Sequence, residues 1–227
     1  MKTKVFLLAW ILVFSITYGK AQDQERRVKL AISVEPHFNW MHADENSLTA
    51  GAGRLGINGG LRVDYRFEKF YALSFGVNWN QTGGNIIYKE PLYLGLSSGT
   101  DTLRAGTKVT YRLQYVEVPL AIKFLTREIG YSTWFFEIGL DPMFNIQAYI
   151  DANDNSVVKE PFKPGVNRFN LAWHTGIGLN YSLGGSVSLQ FAITYKNTFL
   201  DVTRENDIRT PDNVRINVVG FNVGLLF

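Results

Sequence analysis

The sequence predicts an all-β protein, an eight-stranded antiparallel up-and-down transmembrane β-barrel. Three observations predict it. Apolar and polar residues alternate with a period of two through eight segments, as strands with two unlike faces require. The connections between those segments alternate between short and long. Aromatic side chains, 14% of the 227 residues, gather at the segment ends.

The chain opens with an export signature. Met1–Lys4 carries two lysines, Val5–Tyr18 is an almost unbroken apolar run, and Gly19-Lys20-Ala21 places small residues where a signal peptidase reads them. Residues 1–21 are therefore expected to be cleaved before Gln22, leaving 22–227 as the barrel domain. The apolar run is short for a membrane anchor, and no other stretch reaches the ~18 apolar residues of a helical span. No cysteine follows it, which excludes a lipid-anchored lipoprotein.

The eight segments follow in order. In Leu30–Trp40, Leu30, Ile32, Val34, Phe38 and Trp40 alternate with Ser33, Glu35, His37 and Asn39. Leu55–Phe67 sets Leu55, Ile57, Leu61, Val63, Tyr65 and Phe67 against Asn58, Arg62, Asp64 and Arg66. Tyr71–Trp79 sets Tyr71, Leu73, Phe75, Val77 and Trp79 against Ala72, Ser74, Gly76 and Asn78. Val109–Phe124 changes phase, from apolar odd positions through Tyr115 to apolar even positions from Val116. A bulge near Tyr115–Val116 is the expected repair, because a one-residue slip moves every side chain to the other face.

Trp134–Ile146 alternates Trp134, Phe136, Ile138, Leu140, Phe144 and Ile146 with Glu137, Gly139, Asp141 and Asn145. Phe169–Tyr181 alternates Leu171, Trp173, Ile177 and Leu179 with Asn170, His174, Gly178 and Asn180. Val187–Tyr195 alternates Leu189, Phe191 and Ile193 with Ser188, Gln190 and Thr194, and Val219–Phe227 closes the chain in the same manner. The connections at 68–69, 126–133 and 183–186 are short. Those at 41–54, 81–108, 147–168 and 197–213 are long and polar, as in outer-membrane barrels.

Alternation alone also fits a soluble lipocalin-like barrel, with its apolar set inside. The aromatics separate the two readings. Tyr65, Phe67, Tyr71, Phe124, Trp134, Phe136, Tyr181 and Phe227 lie towards the short-turn end; Trp40, Trp79, Tyr111, Phe144, Trp173 and Tyr195 lie towards the long-loop end. Two rings suit two headgroup regions, which favours the membrane barrel and an outer-membrane location. The opposite set mixes small, amide and charged residues, which suits a narrow lumen filled by side chains.

Composition removes other classes. Three of the 23 basic residues lie within 1–21, which hold no Asp or Glu, so the rest of the chain balances at 20 against 20 and bulk charge does not support nucleic-acid binding. Zero cysteines exclude disulfides, thiol nucleophiles and thiolate metal sites.

Glu35, His37, Arg62, Asp64, Arg66, Glu117, Lys123, Glu137, Asp141, His174 and Lys196 share the lumen phase. They suit a structural plug of paired charges better than a proton-transfer or hydrolytic site, since buried ions persist when partnered. Arg62, Arg66 and Lys123 are the candidate partners of Glu117. His37 and His174 have no local ligand spacing for a metal. Asp151-Ala-Asn153-Asp154-Asn155 opens like a calcium loop, but Ser156 and Phe162 stand where the pattern needs Gly and Glu. No cofactor is expected.

The segment Tyr115-Val-Glu-Val-Pro-Leu-Ala-Ile-Lys-Phe124 resembles a strand of the PorT-like outer-membrane barrels of Bacteroidetes. The glycine-rich Asn170–Leu183, the Ala21-Gln22 junction and the aromatic C-terminus resemble that family as well. The resemblance implies an eight-stranded outer-membrane barrel without catalytic residues; some members of the family are associated with type IX secretion, and most have no assigned activity. The expected function is that of a non-enzymatic envelope or secretion accessory, touching outer-membrane lipid and an envelope or type IX protein through its long outer loops. A membrane-embedded enzyme and a soluble lipocalin-like ligand binder are the alternatives. A diffusion pore fits least, because eight strands leave a filled interior.

Overall fold

The computed structural model describes residues 27–44, 48–96, 99–153, 157–162, 165–204 and 213–227, with the backbone alone for 92–102. The expected signal peptide lies outside these residues. In chain order the strands are β1 (Val28–Ala43), β2 (Leu48–Ala50), β3 (Arg54–Glu68), β4 (Tyr71–Tyr88), β5 (Leu92–Leu96), β6 (Gly99–Leu103) and β7 (Lys108–Glu117). They continue as β8 (Leu120–Leu125), β9 (Ser132–Ala152), β10 (Glu160–Pro161), β11 (Phe169–Gly184), β12 (Val187–Thr198) and β13 (Val214–Leu226).

These strands make eight staves among the described residues. The closed antiparallel ring runs β1, β3, β4, β7 with β8, β9, β11, β12, β13 and back to β1, with Phe38 opposite Val219 at the closure. β2 extends the β3 stave along β4, with Gly51-Ala52-Gly53 taking up a change of register. Pro119 lacks an N–H and interrupts the stave between β7 and β8, while its carbonyl still accepts a bond from Gly76 N–H at 3.2 Å.

The outward apolar set is exposed on every stave, from Ile32 and Phe38 through Leu73, Ile138 and Ile177 to Phe221. On β4 it runs from Tyr71 to Trp79. At ~3.3 Å per residue and ~40° of tilt, that band is roughly 20 Å tall, near the ~25 Å apolar band of such barrels.

Beyond Trp79 and Phe144 the polarity of the wall inverts. The outer face becomes polar, with exposed Arg112 and Gln147. The inner face becomes apolar: Met41, Ile86, Tyr111, Leu113, Tyr115 and Ile150 are all within 1% of full burial. Phe162 folds in from the loop against Tyr111, with ring centroids 6.3 Å apart. Tyr88 and Tyr111 join their hydroxyls at 2.6 Å. The staves thus begin as a membrane barrel and end as a water-soluble one with a dry core.

This inversion corrects three expectations. First, the stave from Val109 to Leu125 does not change phase, because its odd positions face inward throughout. The slip sits on β9, where Gln114 pairs with Gln147 and Tyr115 with Asn145, leaving Ile146 as the extra residue. Second, Tyr111 belongs to the interior and not to the aromatic ring. Third, the long connections are strand in part: β4 continues to Tyr88, β9 to Ala152, and β5 pairs with β6 as a hairpin.

Candidate functional site

The middle of the barrel holds a buried network of charges. Ten of the eleven residues expected in the lumen are buried; Arg66 is half-buried at the short-turn mouth. Each of the ten sits on the inward phase of its strand, so alternation alone aims it at the axis. Closure of the ring then brings together residues far apart in sequence.

Two linked clusters result. In the one nearer the short turns, Lys123 Nζ lies 2.7 Å from Asp64 Oδ2 and 3.6 Å from Glu137 Oε2, while Arg62 Nη1 lies 3.3 Å from Glu137 Oε1. In the other, Lys196 Nζ lies 2.7 Å from Glu117 Oε2 and 3.1 Å from Asp141 Oδ2. His174 Nδ1 stands 2.9 Å from Asp141 Oδ1. The partner of Glu117 is therefore Lys196, and not Arg62, Arg66 or Lys123. The register of a closed ring decides this, because it sets which inward residues share a level.

Amides and hydroxyls complete the clusters. Asn58 and Asn80 direct their Nδ2 groups to the two oxygens of Glu117, and Thr194 donates its hydroxyl to Glu35 at 3.0 Å. Gln190 accepts from Lys123 at 3.4 Å and donates to Asn222 at 3.2 Å. Charge alone did not single out these neutral partners. Their place on the polar phase of their strands was the available signal.

Apolar side chains flank the network at both ends, and Asp64 also borders a small pocket at the short-turn mouth. The Tyr111 and Leu113 core bounds the network towards the long loops, and Phe135, Ala72, Leu125 and Ala192 bound it towards the short turns. Lys123 Nζ sits 4.6 Å from the centroid of the Phe135 ring, within cation–π range. Between these layers is a cavity of about 30 Å³ bordered by Glu35, Asn58, Arg62, Asp141, His174 and Lys196. It has room for roughly two waters. The His174–Asp141 pair has the spacing of a general-base dyad, but the Thr194 hydroxyl bonds to Glu35 and the other carboxylates are engaged by cations. The arrangement is suited to holding the staves in register.

A second polar group lies outside the barrel. Arg112 pairs with Asp151, whose other oxygen accepts the Lys159 backbone N–H at 2.7 Å. Burial of Asp151 opposes its charge, but these contacts outweigh it and hold the carboxyl below the ordinary aspartate value. Asp151 opens the calcium-like segment, so its carboxylate is already committed; Asp154 and Asn155 lie outside the described residues.

A family model described as an outer membrane protein beta-barrel domain matches residues 14–197. No curated protein sequence matches the chain. Among solved structures, Ail, the attachment invasion locus protein of Yersinia pestis, is 14% identical over 88% of this chain and 98% of that one, with a TM-score of 0.42. Neisserial surface protein A is 13% identical over 86% of this chain and 95% of its own, also at 0.42. The outer membrane protein OprG from Pseudomonas aeruginosa is 10% identical over 88% and 95% of the two chains, again at 0.42.

Proposed function

This chain belongs to the outer membrane protein beta-barrel domain family, and from that premise we propose that it is a non-enzymatic barrel that works through its outer surface as an envelope or secretion accessory. The carrying observation is the filled lumen. An ion-pair network lies between two layers of apolar side chains, which supports a barrel that neither conducts a solute nor admits a substrate. The ten buried lumen residues, with Arg66 at the mouth, then form a structural plug.

The finer reading, a PorT-like barrel of the type IX secretion kind, is supported by the Tyr115–Phe124 segment. In that stave Glu117 and Lys123 face the plug while Val116, Val118, Leu120 and Ile122 face lipid. Export through a signal cleaved before Gln22 goes with this reading. The test is cross-linking from cysteines placed at exposed outer positions, such as Lys89 or Val158, followed by detergent extraction and identification of the linked proteins. A recurring envelope partner is the expected result. Cross-links to lipid alone would reject the accessory role, and stepwise single-channel conductance in planar bilayers would reject the filled lumen.

A further inference from the structure

Four neighbouring staves carry one outward row at the long-loop rim. Trp173 on β11 pairs with Asn197 on β12, Asn197 pairs with Asn217 on β13, and Asn217 pairs with Trp40 on β1. All four sit on the outward phase of their strands and are half-buried. The register fixes the height of the row. The next outward pair towards the membrane is Phe38 and Val219, both exposed to lipid. The next pair away from it is His42 and Arg215, with Arg215 Nη2 3.2 Å from Asp44 Oδ2. The two asparagines therefore stand where the apolar band gives way to charge, at the headgroup level that the tryptophans mark.

The two amides are oriented by their neighbours. Asn217 Oδ1 accepts from the Tyr195 hydroxyl at 2.9 Å and from Asn197 Nδ2 at 2.7 Å. Tyr195 in turn packs edge-on against Trp173, with ring centroids 5.4 Å apart. Two donors on one oxygen fix which way the Asn217 amide points. Its Nδ2 hydrogens and the Asn197 Oδ1 make no hydrogen bond among the described residues. A pair of donors and an acceptor thus stand one strand spacing of ~4.8 Å apart, between two tryptophans.

We propose that Asn197 and Asn217 bind the sugar of an outer-leaflet glycolipid headgroup, with Trp40 and Trp173 flanking it. Adjacent sugar hydroxyls both donate and accept, which matches an amide donor beside an amide acceptor, and the apolar C–H face of the ring suits an indole. A phosphate fits less well, because it only accepts and would leave Asn197 Oδ1 unpaired. Lipid is the source because the row lies directly above Phe38 and Val219, so that a sugar held there keeps its acyl chains on the apolar wall. The site needs only the barrel in its membrane, whatever protein the outer loops meet.

The test places the exported protein in phosphatidylcholine vesicles holding equal amounts of a monoglucosyl diacylglycerol and the same diacylglycerol without its sugar. Native mass spectrometry reads retained lipid, and heat-modifiable gel mobility reads foldedness. The wild type is expected to retain the glucolipid over the bare diacylglycerol. N197A/N217A should lower that preference about tenfold, as the loss of two hydrogen bonds implies, while remaining folded. W40L/W173L should lower it about threefold. Where the double asparagine variant does not fold, N197A alone serves, and about a threefold loss is expected from it. No preference in the wild type, or an unchanged one in a folded N197A/N217A (in N197A where only that variant folds), would overturn the site. Displacement of the glucolipid by methyl glucoside at the same concentration would overturn the lipid assignment. A protein dimer that N197A/N217A dissolves would give the row to a second copy of the chain instead.

Discussion

Lys196 Nζ reaches 2.7 Å from Glu117 Oε2 across the lumen, joining β12 to β7 at a sequence separation of 79 residues. The same ammonium holds Asp141 on β9, and the same carboxylate collects amides from β3 and β4. One ion pair thus ties five of the eight staves to a single level of the barrel. A ring closed only by backbone ladders could slip in register, and inward charges with partners across the axis oppose such slippage.

Removing Glu117 should expose the strength of this tie. Glu117→Gln leaves Lys196 with Asp141 alone, and breaking one partner of a buried pair costs about 3–5 kcal/mol. Lys196→Met in the same chain should recover part of that loss, since the uncompensated cation is gone. Urea unfolding in lipid vesicles, run as a double-mutant cycle, reads the coupling. Additive losses would mean that the two residues do not act as a pair.

The inversion of the wall predicts opposite responses to charge at two heights. Leu73→Arg and Ile177→Arg place a cation on the lipid face and should cost about 2–4 kcal/mol. Gln147→Arg, outward but above the ring, should stay within about 0.5 kcal/mol. Leu113→Arg faces the dry core and should prevent correct closure of the outer end. Folding yields in vesicles, measured by gel mobility, would separate the three classes.

Eight staves, their faces and the lumen phase of Glu35 through Lys196 were legible because the membrane imposes one rule across the whole band: apolar out, polar in. That rule lapses beyond the ring. Gln81-Thr82-Gly83-Gly84-Asn85 is polar on both faces and reads as loop, although β4 continues through it. Val109, Tyr111, Leu113 and Tyr115 keep the inward phase but become apolar, which from sequence looks like a slip of register. The true slip at Ile146 is silent, because Asn145 and Gln147 flank it with polar residues on either side. Pairing across the lumen was illegible for a different reason: it depends on the shear of the closed ring, which no local pattern encodes.

Close approach inside the barrel makes Gly139 a sensitive position. A Cβ there would fall 2.4 Å from the Leu120 carbonyl oxygen and 2.6 Å from the His174 ring, so backbone must yield. Gly139→Ala should destabilise the barrel by about 1–3 kcal/mol, the usual range for overpacking. Gly130, in a short turn with nothing near its missing side chain, is a useful contrast in space, though its φ of 65° favours glycine. Equal tolerance of alanine at 139 and at exposed Glu128 in urea titrations would contradict the packing shown by these distances.

The Arg112–Asp151 pair gives the outer end a dependence on acid. Burial opposes the Asp151 charge, but Arg112 and the Lys159 N–H prevail, so the folded carboxyl titrates below its unfolded value. Its contribution is therefore complete above the unfolded aspartate value near pH ~4 and is lost as pH falls through the lower folded value. The pair is partly exposed, so the effect should not exceed about 1 kcal/mol and should shrink in salt. Hydrogen exchange along the Thr110–Tyr111 and Ile150–Asp151 ladder should quicken, relative to the intrinsic rate, between pH ~5 and pH ~3 in the wild type. Asp151→Asn should remove that step while leaving protection at Ile138 and Ile177 unchanged. A step of the same size in Asp151→Asn would assign the acid response to another group.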